Sequence, residues 1–183
     1  MSIIKVNTLK HTNDTEALTV ASDGKVSLAK PFSPNNNLVE YWLLNKGNNN
    51  ALNGGVTYTP WALDTRTGVA SRNTGMSHDT GVFTFPRTGL YRVSLTTRHK
   101  GAVSAIGGSI NLSTDSGGNY TTFARSYSSD TSDHDHFSYV SMIFNIANAT
   151  TYRMSFVHLS NSNSAIVYGN NDASATSVLF EEI

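Results

Sequence analysis

An all-β fold of sandwich or jelly-roll type, with about ten short strands, is the fold class this sequence predicts. Three observations predict it. Apolar and polar residues alternate at period two, and no stretch repeats convincingly at the helical period. Charged residues make up only 14% of the chain, so Ser, Thr and Asn must supply the polar surface, a composition of strands joined by turns. Strand-like runs recur at steady spacing from Leu38 to Glu182, with Gly-, Asn- and Ser-rich breaks between them.

The bulk numbers bound the rest. A chain of 183 residues with 38% apolar content suits one domain with a true core and a small appendage. Aromatic content of 10% argues against wholesale disorder. Net charge is zero and no basic run occurs, so nucleic-acid binding is not expected. Membrane insertion is not expected either, because no apolar run approaches the roughly 18 residues of a spanning helix. The absence of cysteine excludes disulfide staples and thiolate chemistry. The opening "MSIIKVNTLK" alternates and lacks the apolar core of a signal peptide, so synthesis in a cytoplasm is expected.

Residues 1–30 read as an N-terminal anchoring segment. "IIKVNTL" makes a short strand with Ile4 and Val6 on one face. "ALTVASDGKVSL" makes a hairpin about Asp23-Gly24. So few apolar side chains cannot bury enough surface to fold alone. Ile3, Ile4, Val6, Leu9, Leu18 and Val20 are therefore read as anchoring residues that pack on a symmetry mate or another protein. The alternative is a frayed leader lying on its own domain. Residues 31–37, with two prolines and three asparagines, form a hinge.

Residues 38–183 form the jelly-roll domain. Strands are expected over 38–44, 56–64, 81–85, 90–98, 105–113, 120–127, 137–146, 151–159, 164–169 and 176–182. Tyr91, Val93 and Leu95 share one face. So do Val140, Met142, Phe144 and Ile146, and so do Tyr152, Met154 and Phe156. Trp42 and Trp61 are read as core or interface anchors, and sugar stacking with Tyr41 and Tyr58 is the alternative.

Within this domain, "GVFTFPRTGLYRVSL" (81–95) carries Gly81, Phe83, Thr84, Pro86, Gly89, Tyr91 and Val93 in the order Gly-x-Phe-Thr-x-Pro-x-x-Gly-x-Tyr-x-aliphatic. This resembles a signature of the globular heads of complement component q and the wider tumour necrosis factor superfamily. The closing "SATSVLFEEI" resembles that family's last strand. The resemblance implies a ten-stranded jelly roll that assembles as a tight homotrimer, with Gly81, Phe83, Pro86, Gly89 and Tyr91 as its fold signature. No collagen-like Gly-x-y stalk is present, which removes the case for a complement-type function. "SIIKVNTL…ALTVASDGKVSL" resembles the opening segments of tail-fibre and other accessory virion proteins of marine bacteriophages.

The segment "SSDTSDHDHF" (128–137) is the candidate special site. A hydrated polar loop is the plainest reading, and two metal readings stand beside it. His134 and His136 are two apart and point the same way on a strand, flanked by Asp133 and Asp135. Three such pairs around a three-fold axis offer six nitrogen ligands to a transition metal. Alternatively Asp130, Asp133 and Asp135 offer oxygen ligands to calcium. No other cofactor is expected. His78-Asp79 lacks a Gly-x-Ser-x-Gly nucleophile elbow, so no enzyme is expected.

Two functional classes follow. The first is a trimeric structural accessory of a virion, made in the host cytoplasm. Its N-terminal segment docks on other virion proteins, and it serves as head decoration or as a short knob or fibre. The second is an adhesin head that recognises a host-surface receptor through distal loops such as "SSDTSDHDHF" and "NKGNNNALNGG".

Overall fold

The computed structural model describes residues 8–10, 16–20, 26–28, 37–45, 50–51, 54–66, 75–101, 103–130, 134–161, 165–169 and 176–183. The chain divides into two units, Met1–Asn36 and Asn37–Ile183. In the first, β1 (Thr8–Lys10), β2 (Glu16–Val20) and β3 (Val26–Leu28) pair antiparallel in that order.

The second unit opens with β4 (Val39–Leu44), β5 (Asn50–Ala51), β6 (Trp61–Leu63), β7 (Ser77–Asp79) and β8 (Val82–Thr84). The long strands β9 (Gly89–Lys100), β10 (Val103–Ser113), β11 (Thr121–Asp130) and β12 (Asp135–Ile146) follow. β13 (Arg153–Ser160), β14 (Ile166–Val167) and β15 (Ser177–Glu182) complete it. Five strands form one sheet in the order β11-β10-β13-β8-β7. Seven form the other, in the order β5-β14-β9-β15-β4-β6, with β12 also paired to β9. β14 and β15 share one edge of β9, so β12 runs along the opposite edge. This is the all-β sandwich that the alternation predicts. Each expected strand region holds a strand; β5 and β7 are two short additions, too brief for periodicity to reveal.

The core lies between the two sheets. β9 sends Tyr91, Val93 and Leu95 inward, β13 sends Met154 and Phe156, and β15 sends Val178 and Phe180. All seven are buried. Phe83 sits at the centre, with ring centroids 5.0 Å from Phe180, 5.4 Å from Trp42 and 5.6 Å from Phe156. Each fully buried ring of this kind contributes roughly 2–3 kcal/mol through removal of apolar surface from water. Trp42 and Trp61 both belong to this core, as the anchor reading expects.

The stretch Gly81–Leu95 changes sheets. β8 lies in the five-stranded sheet and β9 in the seven-stranded one, with the exposed Pro86–Thr88 turn carrying the chain between them. Proline has no N–H to leave unpaired there. Phe85 and Tyr91 meet beneath the turn at 4.9 Å between ring centroids, and the Tyr91 hydroxyl donates to the Arg87 carbonyl at 3.1 Å. Gly81 has φ +88°, and a Cβ there would lie 2.5 Å from the Tyr58 carbonyl oxygen. A side chain is excluded on both counts.

A buried carboxylate closes the other side. Glu40 accepts from Trp42 Nε1 at 2.8 Å and from the backbone N–H groups of Gly75 and Met76. These three donors replace the water that the carboxylate loses on burial.

Candidate functional site

Register partners in an antiparallel ladder share a face. The ladder places Val39, Glu181, Arg92 and Ile143 in one row across β4, β15, β9 and β12. Tyr41, Leu179, Ser94 and Ser141 form the next row, and Leu43, Ser177, Thr96 and Tyr139 the third. Their chain neighbours Tyr91, Val93, Leu95, Phe144, Val178 and Phe180 face the core, so these rows form the outward face of the seven-stranded sheet.

That face is apolar where it is most exposed. Phe137, Tyr139 and Ile143, at alternate positions of β12, are 56%, 61% and 52% exposed, and Leu90 on β9 is 46% exposed. Aromatic residues gathered on one open face mark an interaction surface.

Its polar groups find partners within the chain. Tyr41 Oη donates to Ser177 Oγ at 2.7 Å, Ser94 Oγ and Ser141 Oγ share a bond of 2.8 Å, and Tyr139 Oη donates to Ser94 Oγ at 3.2 Å. Arg92 pairs with Glu181 at 2.8 Å. Arg98 pairs with Asp135 at 2.6 Å and lies over the rings of Tyr168 and Phe137. Its hydrogen bond holds the Asp135 carboxyl below the usual carboxylate range. Covering this face would therefore strand few polar groups, which lowers the desolvation cost.

A second group of polar side chains lies inside. Beyond Leu95, the inward positions of β9 become Thr97 and His99, both buried. His136 and Ser138 of β12 face them in register, and His158 of β13 approaches from the other sheet. The His99 and His158 ring centroids are 6.0 Å apart. Thr97 Oγ1 bonds with His99 Nε2 at 2.7 Å and with Ser138 Oγ at 2.6 Å. Tyr58 Oη lies 3.2 Å from His158 Nδ1 and 3.1 Å from the Gly107 carbonyl. Burial, followed by the charges of His158 and His136, pushes the His99 imidazole down to about 3. Burial pushes the Tyr58 phenol up. The sandwich thus has an apolar body and one imidazole-rich end.

The predicted metal residues do not converge among the described residues. His134 precedes β12 and is exposed, so strand alternation does not govern it. His136 is buried against β9, and Asp135 is engaged by Arg98. No group of three or more His, Cys, Asp or Glu side chains is arranged to hold a metal among the described residues. Asp133 lies outside the described residues, as do Ile3, Ile4 and Val6. Leu9 is in β1, and Leu18 and Val20 are in β2. His78 packs edge-on against Trp42 at 5.2 Å between ring centroids and is tilted on Phe83 at 5.4 Å, while Asp79 is exposed. Sequence reasoning missed His99 and His158. Both were legible as the next inward positions after Tyr91-Val93-Leu95-Thr97 and Met154-Phe156.

Two antiparallel sheets in this topology define a tumour-necrosis-factor-like jelly roll. Solved structures of that fold are similar to the chain. Murine APRIL at pH 5.0 matches with a TM-score of 0.58 and 14% identity, covering 80% of this chain and 99% of that one. Murine APRIL at pH 8.5 matches at 0.56 and 13%, with the same coverage. Eiger TNF from S. frugiperda matches at 0.59 and 10%, covering 80% and 92%. At these identities the likeness is one of fold. No protein-family model matches the chain, and no curated protein is significantly similar to it.

Proposed function

We propose that the chain is a non-enzymatic trimeric accessory of a virion, made in the host cytoplasm. Its jelly roll assembles through the outward face of the seven-stranded sheet, and its N-terminal segment docks the trimer on another virion protein. The observation that carries the assembly is the row Phe137, Tyr139 and Ile143, more than half exposed beside polar groups paired within the chain. A cyclic trimer joins two different patches of the same chain, so each copy must present both. The β12 row supplies one, and the β15–β4 part of the same face, with Leu179 and Tyr41, supplies the other. The virion setting is supported by the resemblance of the opening segment. Light scattering on the purified chain tests the trimer, and a monomer at micromolar concentration would overturn it. Mass spectrometry of purified particles tests the setting: hundreds of copies indicate head decoration, and a few dozen or fewer indicate tail or fibre.

The second reading is an adhesin head. It is favoured by a shallow groove of about 330 Å³ lined by Gly55, Ala105, Tyr127, Leu159, Ser160 and Asn161. Its strands belong to the five-stranded sheet, so assembly through the other sheet leaves it open. Tyr127 is 52% exposed and offers a ring for sugar stacking. Saturable glycan binding that Tyr127→Ala abolishes would favour this reading.

A further inference from the structure

In the five-stranded sheet, Tyr127 of β11, Gly107 of β10 and Leu159 of β13 are register partners in one row. Arg125, Ser109 and Val157 form the row beside it. The chain neighbours Ile106, Ile110 and Phe156 are buried on the core side, so both rows face away from the core. Gly107 puts no side chain between Tyr127 and Leu159, which both line the 330 Å³ groove. A Cβ at Gly107 would lie 1.8 Å from the Ser126 carbonyl oxygen, so close strand approach keeps this gap bare. Arg125 is exposed on the same face as Tyr127, two positions away. The other described arginines are engaged. Arg66, Arg87, Arg92 and Arg98 pair with carboxylates, and Arg153 donates to the Ala149, Thr150 and Tyr152 carbonyls. Among the described residues Arg125 has no such partner. The two rows hold no acidic side chain that could supply one.

We infer that this edge of the sheet binds an acidic saccharide, a pyranose carrying a carboxylate, with Arg125 taking the carboxylate and Tyr127 the face of the ring. The inference rests on the adhesin reading and names its ligand class. Charge complementarity selects the acid. A guanidinium without an internal partner presents its planar fork to a carboxylate, and the pair forms without breaking a bond inside the chain. The tyrosine and the groove select the sugar. Tyr127 is 52% exposed and offers a flat apolar surface to the C–H face of a pyranose. Ser160 and Asn161 give the groove a neutral polar border suited to sugar hydroxyls. Positions two apart on a strand are separated by about 7 Å. One sugar ring with its attached carboxyl bridges that span. An acidic peptide would meet the same arginine but would leave the tyrosine ring and the groove without a flat partner.

The test is a glycan array probed with the full-length chain. It carries neutral oligosaccharides, uronic- and sialic-acid oligosaccharides, the same acids with their carboxyl groups reduced to alcohols, and a poly-glutamate peptide. The acids are expected to bind at least about fivefold tighter than their reduced counterparts, the scale of one well-placed exposed ion pair. Added salt should weaken only the acid forms. Arg125→Gln should bring acid and reduced forms within about twofold of each other, and Arg125→Lys should keep part of the preference as a point charge. Tyr127→Ala should weaken both forms alike, since it removes the ring contact that they share. Both side chains are exposed, so the variants should fold as the parent does. Equal binding of acid and reduced forms, an undiminished preference in Arg125→Gln, or poly-glutamate bound as tightly as the acids overturns the acidic-saccharide site alone. The adhesin reading then stands on any glycan binding that Tyr127→Ala abolishes. No saturable binding to any glycan overturns the adhesin reading and this inference with it.

Discussion

His99 and His136 are register partners across the β9–β12 ladder, and both are buried. His158 faces His99 from the other sheet, while Thr97, Ser138 and Tyr58 supply only neutral groups around them. Two imidazoles therefore stand beside His99, where their charge adds to the cost of protonating it.

Acid should unfold the jelly roll through this end. His99 is held down to about 3, below its ordinary 6.5, so the unfolded chain binds the extra proton. Stability is complete above about 6.5 and is lost as pH falls toward 3. Over that window the loss is on the order of 3–5 kcal/mol. Urea midpoints measured across the window check it. His99→Leu should flatten the acid limb; a limb as steep as the parent's would refute the assignment.

Tyr139→Asp should dissociate the assembly without unfolding the subunit. The side chain is 61% exposed, so the isolated fold should change by no more than about 0.5 kcal/mol. Light scattering should report one-third of the parent mass, with far-ultraviolet circular dichroism unchanged. A variant that stays trimeric would move the interface off this face.

Gly81→Ala should cost about 2 kcal/mol or more, because it adds left-handed backbone strain to a clash. The clash is with the Tyr58 carbonyl oxygen, 2.5 Å from the new Cβ. Thermal unfolding measures the cost, and a variant as stable as the parent would remove Gly81 from the list of required corner residues.

Glu40→Leu should cost about 3 kcal/mol, since it strands three donors, two of them buried. They are Trp42 Nε1 and the N–H groups of Gly75 and Met76. Denaturant titration reads the loss. Glu40→Gln should recover part of it, because its amide oxygen still accepts.

The strands and the inward residues were legible because period-two patterning is a local property. "LYRVSL" declares which face of β9 is buried before any partner is known. The Pro86–Gly89 turn was legible for the same reason, since proline and glycine act on their own backbone. That this turn carries the chain from one sheet to the other was not, because a turn does not encode which sheet the next strand joins. The metal reading drew on spacing alone. Spacing could not show that Asp135 meets Arg98 across the ladder, thirty-seven positions away.

The sequence by itself determined an all-β chain with an alternating core and a turn at Pro86–Gly89. Only the tertiary structure decided which outward residues gather on one face and which histidines share one interior. Phe137, Tyr139 and Ile143 become a surface because β12 runs along the edge of β9. His136 and His158 become neighbours of His99 because β12 pairs along β9 while β13 faces it from the other sheet. Alternation sets the side of a sheet on which a residue lies; only register and pairing set what lies beside it.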